Sequence, residues 1–104
     1  MRGDVYRLRR DKTATGPEQG GPRFAVEVQS DLIHLSMLIV APTSTRAQPA
    51  TFRPSVDLLG TTTRILVDQL RAVDLSRLGD QVGRLDTGEL AELDRAVRLM
   101  LGVL

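Results

Sequence analysis

The chain has 104 residues, of which 41% are hydrophobic and 26% are charged, the balance of an ordinary folded domain. It contains no cysteine and one histidine, His34. This excludes disulfide scaffolds, cysteine nucleophiles, and zinc sites built on cysteine or on two histidines of one chain. No apolar run approaches the ~20 residues that cross a bilayer, and no secretory signal follows Met1. We therefore expect one domain over residues 1–104, cytoplasmic, with no membrane contact, metal or cofactor.

The net charge of +1 is unevenly distributed along the chain. Residues 1–71 carry ten basic and seven acidic side chains, whereas residues 72–104 carry four basic and six acidic ones. Arginine accounts for 13 of the 14 basic residues, and its guanidinium binds phosphate through two parallel hydrogen bonds. The composition therefore permits a nucleic-acid partner, although GC-rich codon usage explains it more simply.

The first half of the chain predicts three strands. Val5 to Leu8 form a short one, and Asp11–Pro22 has the glycine and proline content of a loop. After Arg23, apolar residues alternate over Phe24–Gln29 with the period of a half-buried strand. Leu35–Ala41 is an apolar run typical of a central strand buried on both faces, and Pro42 is expected to end it.

Shorter elements follow in the second half. Thr51–Leu59 predicts a strand, and Pro54 within it indicates either a position at a sheet edge or a bulge. Thr61–Val67 is rich in β-branched residues and predicts another strand. A single helical turn is expected over Asp74–Gly79, with Asp74 as its N-cap and Gly79 as a left-handed stop, before a last strand at Gln81–Leu85.

One long helix is predicted at the end, over Thr87–Leu101. Asp86 and Glu89 have the spacing of a capping box, and an apolar stripe recurs at helical spacing at Leu90, Leu93, Val97, Met100, Leu101 and Leu104. Asp94 and Arg98 stand four residues apart in the order that favours an ion pair. The chain is thus mainly β with a C-terminal α-helix, and a small bent β-barrel or two-sheet structure fits the element order.

Candidate chemistry is concentrated at the predicted strand ends. Arg23 precedes one strand and Thr43–Thr45 follow the next, so these side chains meet at one rim if the two strands are antiparallel neighbours. Asp68 and Gln69 end a later strand and can approach the same rim. A guanidinium, hydroxyls and an acid suit a phosphodiester. Each also has an ordinary interpretation: a solvated arginine, a polar turn and a capping carboxylate.

Six segments, in order, resemble the MazF/PemK/Kid family of toxin endoribonucleases. They are Arg2–Tyr6, Glu18–Arg23, Val26–Asp31, Ile39–Ser44, Leu66–Asp74 and the terminal helix from Leu93 to Gly102. The resemblance implies a small SH3-like barrel of the CcdB/MazF type and a homodimer. It also implies metal-independent, sequence-specific cleavage of single-stranded RNA, either mRNA or tRNA loops, and neutralisation by an antitoxin of the MazE type.

The resemblance also implies roles for individual residues. The family's arginine falls on Arg23, its hydroxyl on Ser44 with Thr43 and Thr45 as alternatives, and an acid that some members use on Asp68. The RNA contacts it implies fall on Glu18, Gln19, Thr43, Thr45, Arg46 and Gln69. The chain departs from the family pattern at Phe24, where proline is usual, and over Leu32–Ser36, which lacks the usual asparagine.

Two other hypotheses remain open. A non-catalytic inhibitor of DNA gyrase, similar to CcdB, would use the same barrel. Such toxins rely on a C-terminal Trp-Gly-Ile, whereas this chain ends Leu-Gly-Val-Leu and contains no tryptophan. The second hypothesis is a catalytically inactive relative, which the substitution at Phe24 makes plausible.

Overall fold

A computed structural model describes residues 1–9 and 23–103 of the chain. The expected loop over Asp11–Pro22, with Glu18 and Gln19, lies outside this part, as does Leu104. The described residues form seven strands, a C-terminal helix and two short 3₁₀ helices at Val67–Gln69 and Leu75–Arg77. The strands are β1 (Asp4–Leu8), β2 (Phe24–Glu27), β3 (Met37–Ser44), β4 (Ser55–Leu58), β5 (Thr61–Ile65), β6 (Arg71–Asp74) and β7 (Leu78–Arg84), and the helix is α1 (Thr87–Leu101). The mainly β class with a C-terminal helix is confirmed.

The strands build one curled antiparallel sheet around β3. The order across the sheet is β4-β5-β3-β2-β1-β7, and β6 also pairs with β3. One edge of β3 pairs with β2, whereas the other edge pairs first with β6, over Met37–Val40, and then with β5, at Thr43 and Ser44. The sheet therefore closes partway into a barrel.

The prediction that Pro42 ends the third strand is wrong, since β3 continues to Ser44. The carbonyl of Pro42 accepts the amide of Leu66 at 2.8 Å. In an antiparallel strand the N–H and C=O of one residue point to the same side. The missing N–H of Pro42 therefore faces away from β2, and proline costs no hydrogen bond in the β2–β3 ladder.

The prediction that β3 is buried on both faces is also wrong. Val40 and Ala41 are fully buried, but Met37 and Ile39 are 39% and 43% exposed. Alternating side chains in the first half of the strand therefore point outward, because only one face of this part of the sheet is covered.

Other boundaries differ from the sequence prediction for local reasons. β4 covers only Ser55–Leu58, and it lies at the sheet edge as predicted. The short strand β6 was not predicted. The helical turn begins at its predicted N-cap, Asp74, but Gly79 is not its stop, because Gly79 lies within β7. Glycine is required there by close approach: a Cβ atom would lie 2.8 Å from the carbonyl oxygen of Arg7.

The C-terminal helix has the predicted bounds and the predicted capping box of Asp86 and Glu89. Gly102 ends it in the left-handed conformation, at φ 68°. Of the predicted apolar stripe, Leu93 is fully buried, whereas Leu101 is 58% exposed and does not pack on the sheet. Asp94 pairs with Arg2. In the described part of the chain, no helix is long and apolar enough to span a membrane.

The main core lies between α1 and one face of the sheet. It combines the helix residues Leu93 and Ala96 with strand residues such as Val5, Val26 and Ile65, all of them fully buried. A second, smaller cluster of Leu8, Ala25, Val40 and Val73 occupies the opposite face. The two faces of the sheet are therefore used differently, and the helix stabilises only one of them.

Replacing Leu93 with alanine tests the contribution of the helix. Because the Leu93 side chain is fully buried, Leu93→Ala is expected to lower the free energy of unfolding by about 2–5 kcal/mol. Leu99→Ala is the matched control, since Leu99 lies on the same helix and is 54% exposed. Urea unfolding followed by circular dichroism measures both variants, and equal losses would contradict the assigned packing.

Candidate active site

Arg23 directly precedes β2, and Ser44 is the last residue of the neighbouring strand β3. The amide of Leu8 donates to the Arg23 carbonyl at 2.8 Å, which continues the pairing of β1 with β2 by one residue. Ala25 is the partner of Pro42 in the register of β2 with β3, and extending that register by two residues sets Arg23 opposite Ser44. Opposite residues share a face, with Cβ atoms about 4.5–5.5 Å apart. Arg23 and Ser44 therefore lie at the same end of the β2–β3 pair.

Both side chains project from the sheet face opposite α1. Arg23 stands two residues before Ala25, which belongs to the smaller core cluster on that face, and side chains two apart in a strand point the same way. Arg23 is exposed and Ser44 is half-buried. A ligand can therefore reach both groups from solvent.

The three neighbouring hydroxyls are oriented differently. Thr43 pairs with Ile65, which lies in the main core on the helix side, and its Oγ1 donates to the carbonyl of Phe24 at 3.1 Å. Ser44 Oγ accepts the amide of Arg46 at 3.1 Å, an arrangement that leaves its proton available for donation. Thr45 is exposed. Ser44 is therefore the hydroxyl that shares a face with Arg23.

Asp68 has a partner that the sequence did not indicate. Arg53 donates two hydrogen bonds to the Asp68 carboxylate, from Nε to Oδ1 at 3.1 Å and from Nη2 to Oδ2 at 2.9 Å. The guanidinium beside it lowers the pKa of Asp68, mainly through these hydrogen bonds. A carboxylate with a lowered pKa stays ionised and is a weak proton acceptor.

Arg53 also holds the loop between β3 and β4. Its Nη1 donates to the carbonyl of Gln48 at 3.1 Å, and its own carbonyl accepts Nη1 of Arg64 at 3.0 Å. Arg95 of α1 donates to the carbonyl of Thr51 at 3.1 Å. The loop that follows Ser44 and carries Arg46 is therefore fixed to β5, to the first 3₁₀ helix through Asp68, and to α1.

Three further arginines near the site were missed. Arg64 is the partner of Ser44 on β5, and Arg71 opens β6, the strand that was not predicted. Burial and the positive charges of Arg77 and Arg23 lower the pKa of Arg71. A signal existed for Arg71, because it falls inside the Leu66–Asp74 segment that carries the family resemblance.

The remaining expected RNA contacts are placed unevenly. Arg46 and Gln69 are both exposed, Arg46 in the loop after β3 and Gln69 at the end of the first 3₁₀ helix. Glu18 and Gln19 lie outside the described residues. Within residues 1–9 and 23–103, no group of three or more histidine or acidic side chains is arranged to hold a metal ion.

Comparison with known proteins identifies relatives over the whole chain. A family model described as a PemK-like, MazF-like toxin of type II toxin-antitoxin systems matches residues 1–101. A Mycobacterium tuberculosis protein named as a candidate toxin is 42% identical over 104 residues, which cover 99% of this chain and 98% of the relative.

Solved structures share the fold. The Mycobacterium tuberculosis toxin MazF-mt6 superposes with a TM-score of 0.79 at 19% identity, covering 97% of this chain and 98% of that one. An endoribonuclease from a mycobacterial species, in complex with its cognate antitoxin, superposes with a TM-score of 0.79 at 18% identity, covering 100% of this chain and 96% of that one. At these identities the likeness establishes the fold.

The pair of Arg53 and Asp68 predicts a pH-dependent contribution to stability. Asp68→Asn is expected to lower the free energy of unfolding at pH 7 by about 0.2–1 kcal/mol, the usual range for a solvent-accessible ion pair. Because the pair lowers the pKa of Asp68, its contribution is complete above the ordinary carboxyl pKa of about 3.9 and is lost as the pH falls through the folded value.

Urea unfolding of the wild type and Asp68→Asn between pH 7 and pH 3 measures this effect. The difference between the two proteins should shrink below about pH 4. Glu92→Gln is the matched control, because it breaks the exposed pair of Glu92 with Arg95 on α1 and should change stability little. A difference that stays constant across this range would contradict an ionised pair.

Proposed function

We propose that this chain, which belongs to the PemK-like, MazF-like toxin family of type II toxin–antitoxin systems, is a metal-independent endoribonuclease that cuts single-stranded RNA at specific sequences. The observation that carries the proposal is the placement of Arg23 and Ser44 at the same end of β2 and β3, on an accessible sheet face. A guanidinium beside a hydroxyl donor is suited to a phosphodiester anion. The mycobacterial structural neighbour described as an endoribonuclease supports the same activity.

RNA supplies its own nucleophile, so the protein needs few catalytic groups. In the proposed reaction the 2′-oxygen attacks phosphorus and its proton passes to solvent water. The P–O5′ bond then breaks, and O5′ takes up a proton from solvent water. The products carry a 2′,3′-cyclic phosphate and a 5′-hydroxyl. Negative charge grows on the phosphoryl oxygens in the transition state, and a guanidinium fixed beside them stabilises that charge where it develops.

Arg23 is assigned to the phosphorane, and Ser44 to orientation of the scissile phosphate. The Ser44 hydroxyl can donate to a phosphate oxygen while its Oγ accepts the Arg46 amide. Thr43 is the weaker candidate, since its hydroxyl donates to the β2 backbone. Thr45, Arg46 and Gln69 are exposed and are assigned to RNA binding, together with Glu18 and Gln19.

Asp68 is assigned a positioning role within this site. Both of its carboxylate oxygens accept hydrogen bonds from Arg53, and its pKa is lowered. Asp68 is therefore poorly suited to accept a proton from the 2′-hydroxyl. Its role is to hold the loop that carries Arg46 in place. If Asp68 were the base, Asp68→Asn would slow cleavage far more than Arg53→Gln does.

An antitoxin of the MazE type is the proposed protein partner. The structural neighbour solved with its cognate antitoxin supports this assignment. A partly disordered acidic segment would be attracted by the exposed arginines Arg23 and Arg46. Such a segment would compete with RNA for the phosphate-binding face and so suppress cleavage.

A homodimer is also proposed, through an apolar surface at the β3–β6 side of the sheet. This surface consists of large apolar side chains that are between 39% and 91% exposed: Leu32, Ile33, Leu35, Met37, Ile39 and Leu75. Contiguous apolar patches of this kind are rare on monomers. A second copy of the chain would cover the surface and improve the poor surface-to-core ratio of a small domain.

Purified protein incubated with total RNA tests the activity. We expect products with 2′,3′-cyclic phosphate and 5′-hydroxyl ends, and cleavage that EDTA does not inhibit. Arg23→Ala should lower the rate by at least ~100-fold, the usual loss for one transition-state contact. Arg23→Lys should recover only part of it, because an ammonium lacks the planar fork. Arg98→Ala, on an exposed helix position, is the matched control.

Two outcomes would overturn this proposal. Cleavage by Arg23→Ala at the wild-type rate would remove Arg23 from the chemistry, and loss of cleavage in EDTA would show metal dependence. A parallel incubation with DNA gyrase separates the alternative function. Inhibition of gyrase by a protein that leaves RNA intact would identify a non-catalytic toxin, and inactivity in both assays would identify an inactive relative.

Sedimentation equilibrium at micromolar concentration tests the dimer. The wild type is expected to sediment as a dimer, and Ile39→Lys should shift it toward monomer because the substitution buries an ammonium in an apolar interface. Leu99→Lys is the control, since Leu99 is exposed on α1, away from the proposed interface. A wild-type protein found only as monomer would refute the dimer, and an equal effect of both variants would refute this surface.

A further inference from the structure

Arg71 lies on the same sheet face as the Arg23–Ser44 pair. It is the first residue of β6 and the direct partner of Val40 on β3. Val40 belongs to the smaller core cluster that also contains Ala25, and opposite residues share a face. Arg71 is exposed. The site therefore contains a second accessible guanidinium, displaced along β3 from the first.

Other arginines act on the guanidinium of Arg71 with like charge. Burial and the positive charges of Arg77 and Arg23 lower the pKa of Arg71. Arg77 is fixed in place, because its Nη2 donates to the carbonyl of Arg9 at 3.1 Å and its own carbonyl accepts the Arg9 amide at 2.7 Å. Within the described residues, the buried Nε of Arg77 has no hydrogen-bond partner. Close like charges are relieved by a ligand that brings several negative charges together.

We propose that Arg71 binds a second phosphate of the RNA strand, next to the scissile phosphate that Arg23 and Ser44 hold. This inference rests on the proposed endoribonuclease function and adds a requirement to it. The substrate must be an oligoribonucleotide with a charged linkage beside the one that is cut. A dinucleotide with a single phosphate would then be a poor substrate even if it contained the correct bases.

A substrate with one neutral linkage tests the requirement directly. Once the cut site is mapped on long RNA, oligonucleotides are made with one ribonucleotide at that site and a methylphosphonate at the linkage on its 5′ or 3′ side. Wild-type kcat/KM should fall at least about tenfold for one of the two positions, since a hydrogen bond to a charged group is lost there. Equal cleavage of these two substrates and of the fully charged oligonucleotide would overturn the proposal.

The Arg71→Gln variant completes the comparison. On the fully charged substrate it should raise KM at least about tenfold and leave kcat within about twofold, because Arg71 binds a phosphate that does not react. On the sensitive neutral substrate the variant should cause no further loss. Arg71→Lys should restore part of the affinity. Arg98→Gln, on the helix, is the matched control and should behave as wild type on every substrate.

The outcomes separate this inference from the proposed function. If the wild type cuts RNA but Arg71→Gln loses the same factor on charged and neutral substrates, Arg71 does not contact that phosphate and only the inference fails. If the wild type cuts no RNA, the proposed function fails. The binding of a 2′-deoxy oligonucleotide, measured by fluorescence anisotropy, then tests whether Arg71 contacts a phosphate. The slope of log Kd against log salt concentration should fall by about one for Arg71→Gln. An unchanged slope would overturn the inference.

Discussion

The divided edge of β3 is the constraint on which the rest of the structure depends. A strand has two edges, and β2 occupies one of them. The other is shared, because β6 pairs with Met37–Val40 and β5 pairs with Thr43 and Ser44. Pro42 stands between the two partners on this shared edge. It needs no acceptor for an N–H, and its carbonyl takes the amide of Leu66. One partner can therefore replace the other without leaving a buried donor unpaired.

This exchange of partners assembles the candidate site. Because β5 joins β3 only at its end, Arg64 comes beside Ser44, and Arg23 lies just before β2 on the other side of β3. The chain then crosses from β5 to β6 through the 3₁₀ helix Val67–Gln69, and β6 opens with Arg71. That crossing also presents Asp68 to Arg53. The basic groups of the site thus come from four separate segments that meet only because β3 changes partner.

Local patterns in the sequence predicted the elements whose stability is local. The capping box of α1 involves residues three apart, so it could be predicted. The alternation over Phe24–Gln29 predicted that a strand lies there, but the prediction that it is half-buried is wrong, because Ala25 and Val26 point to opposite faces of β2 and both are fully buried. β6 could not be predicted, since only Val73 among its four residues is buried and its pairing depends on a distant strand. The effect of Pro42 was misjudged for the same reason. Its tolerance depends on which edge its nitrogen faces, and this is decided by the neighbouring strands.

Some features of the candidate site could likewise be predicted from the sequence, and others could not. The nearness of Arg23 to the hydroxyls follows from antiparallel pairing of consecutive strands, which a sequence can suggest. The pair of Arg53 and Asp68 joins the loop between β3 and β4 to the first 3₁₀ helix, across a separation of 15 residues, and no local pattern encodes it. The position of Arg71 depends on β6 and was missed with it.

Alternation along β3 explains how so small a domain can combine a packed core with a cluster of like charges. Thr43 points toward the main core side and uses its hydroxyl to bind the β2 backbone, whereas Ser44, one residue later, points to the opposite face. Repulsion among the arginines on that face opposes folding. The core beneath α1 offsets it from the other side of the same sheet, through buried residues such as Leu93. Each face can therefore change in sequence without disturbing the other, provided that β3 keeps its register.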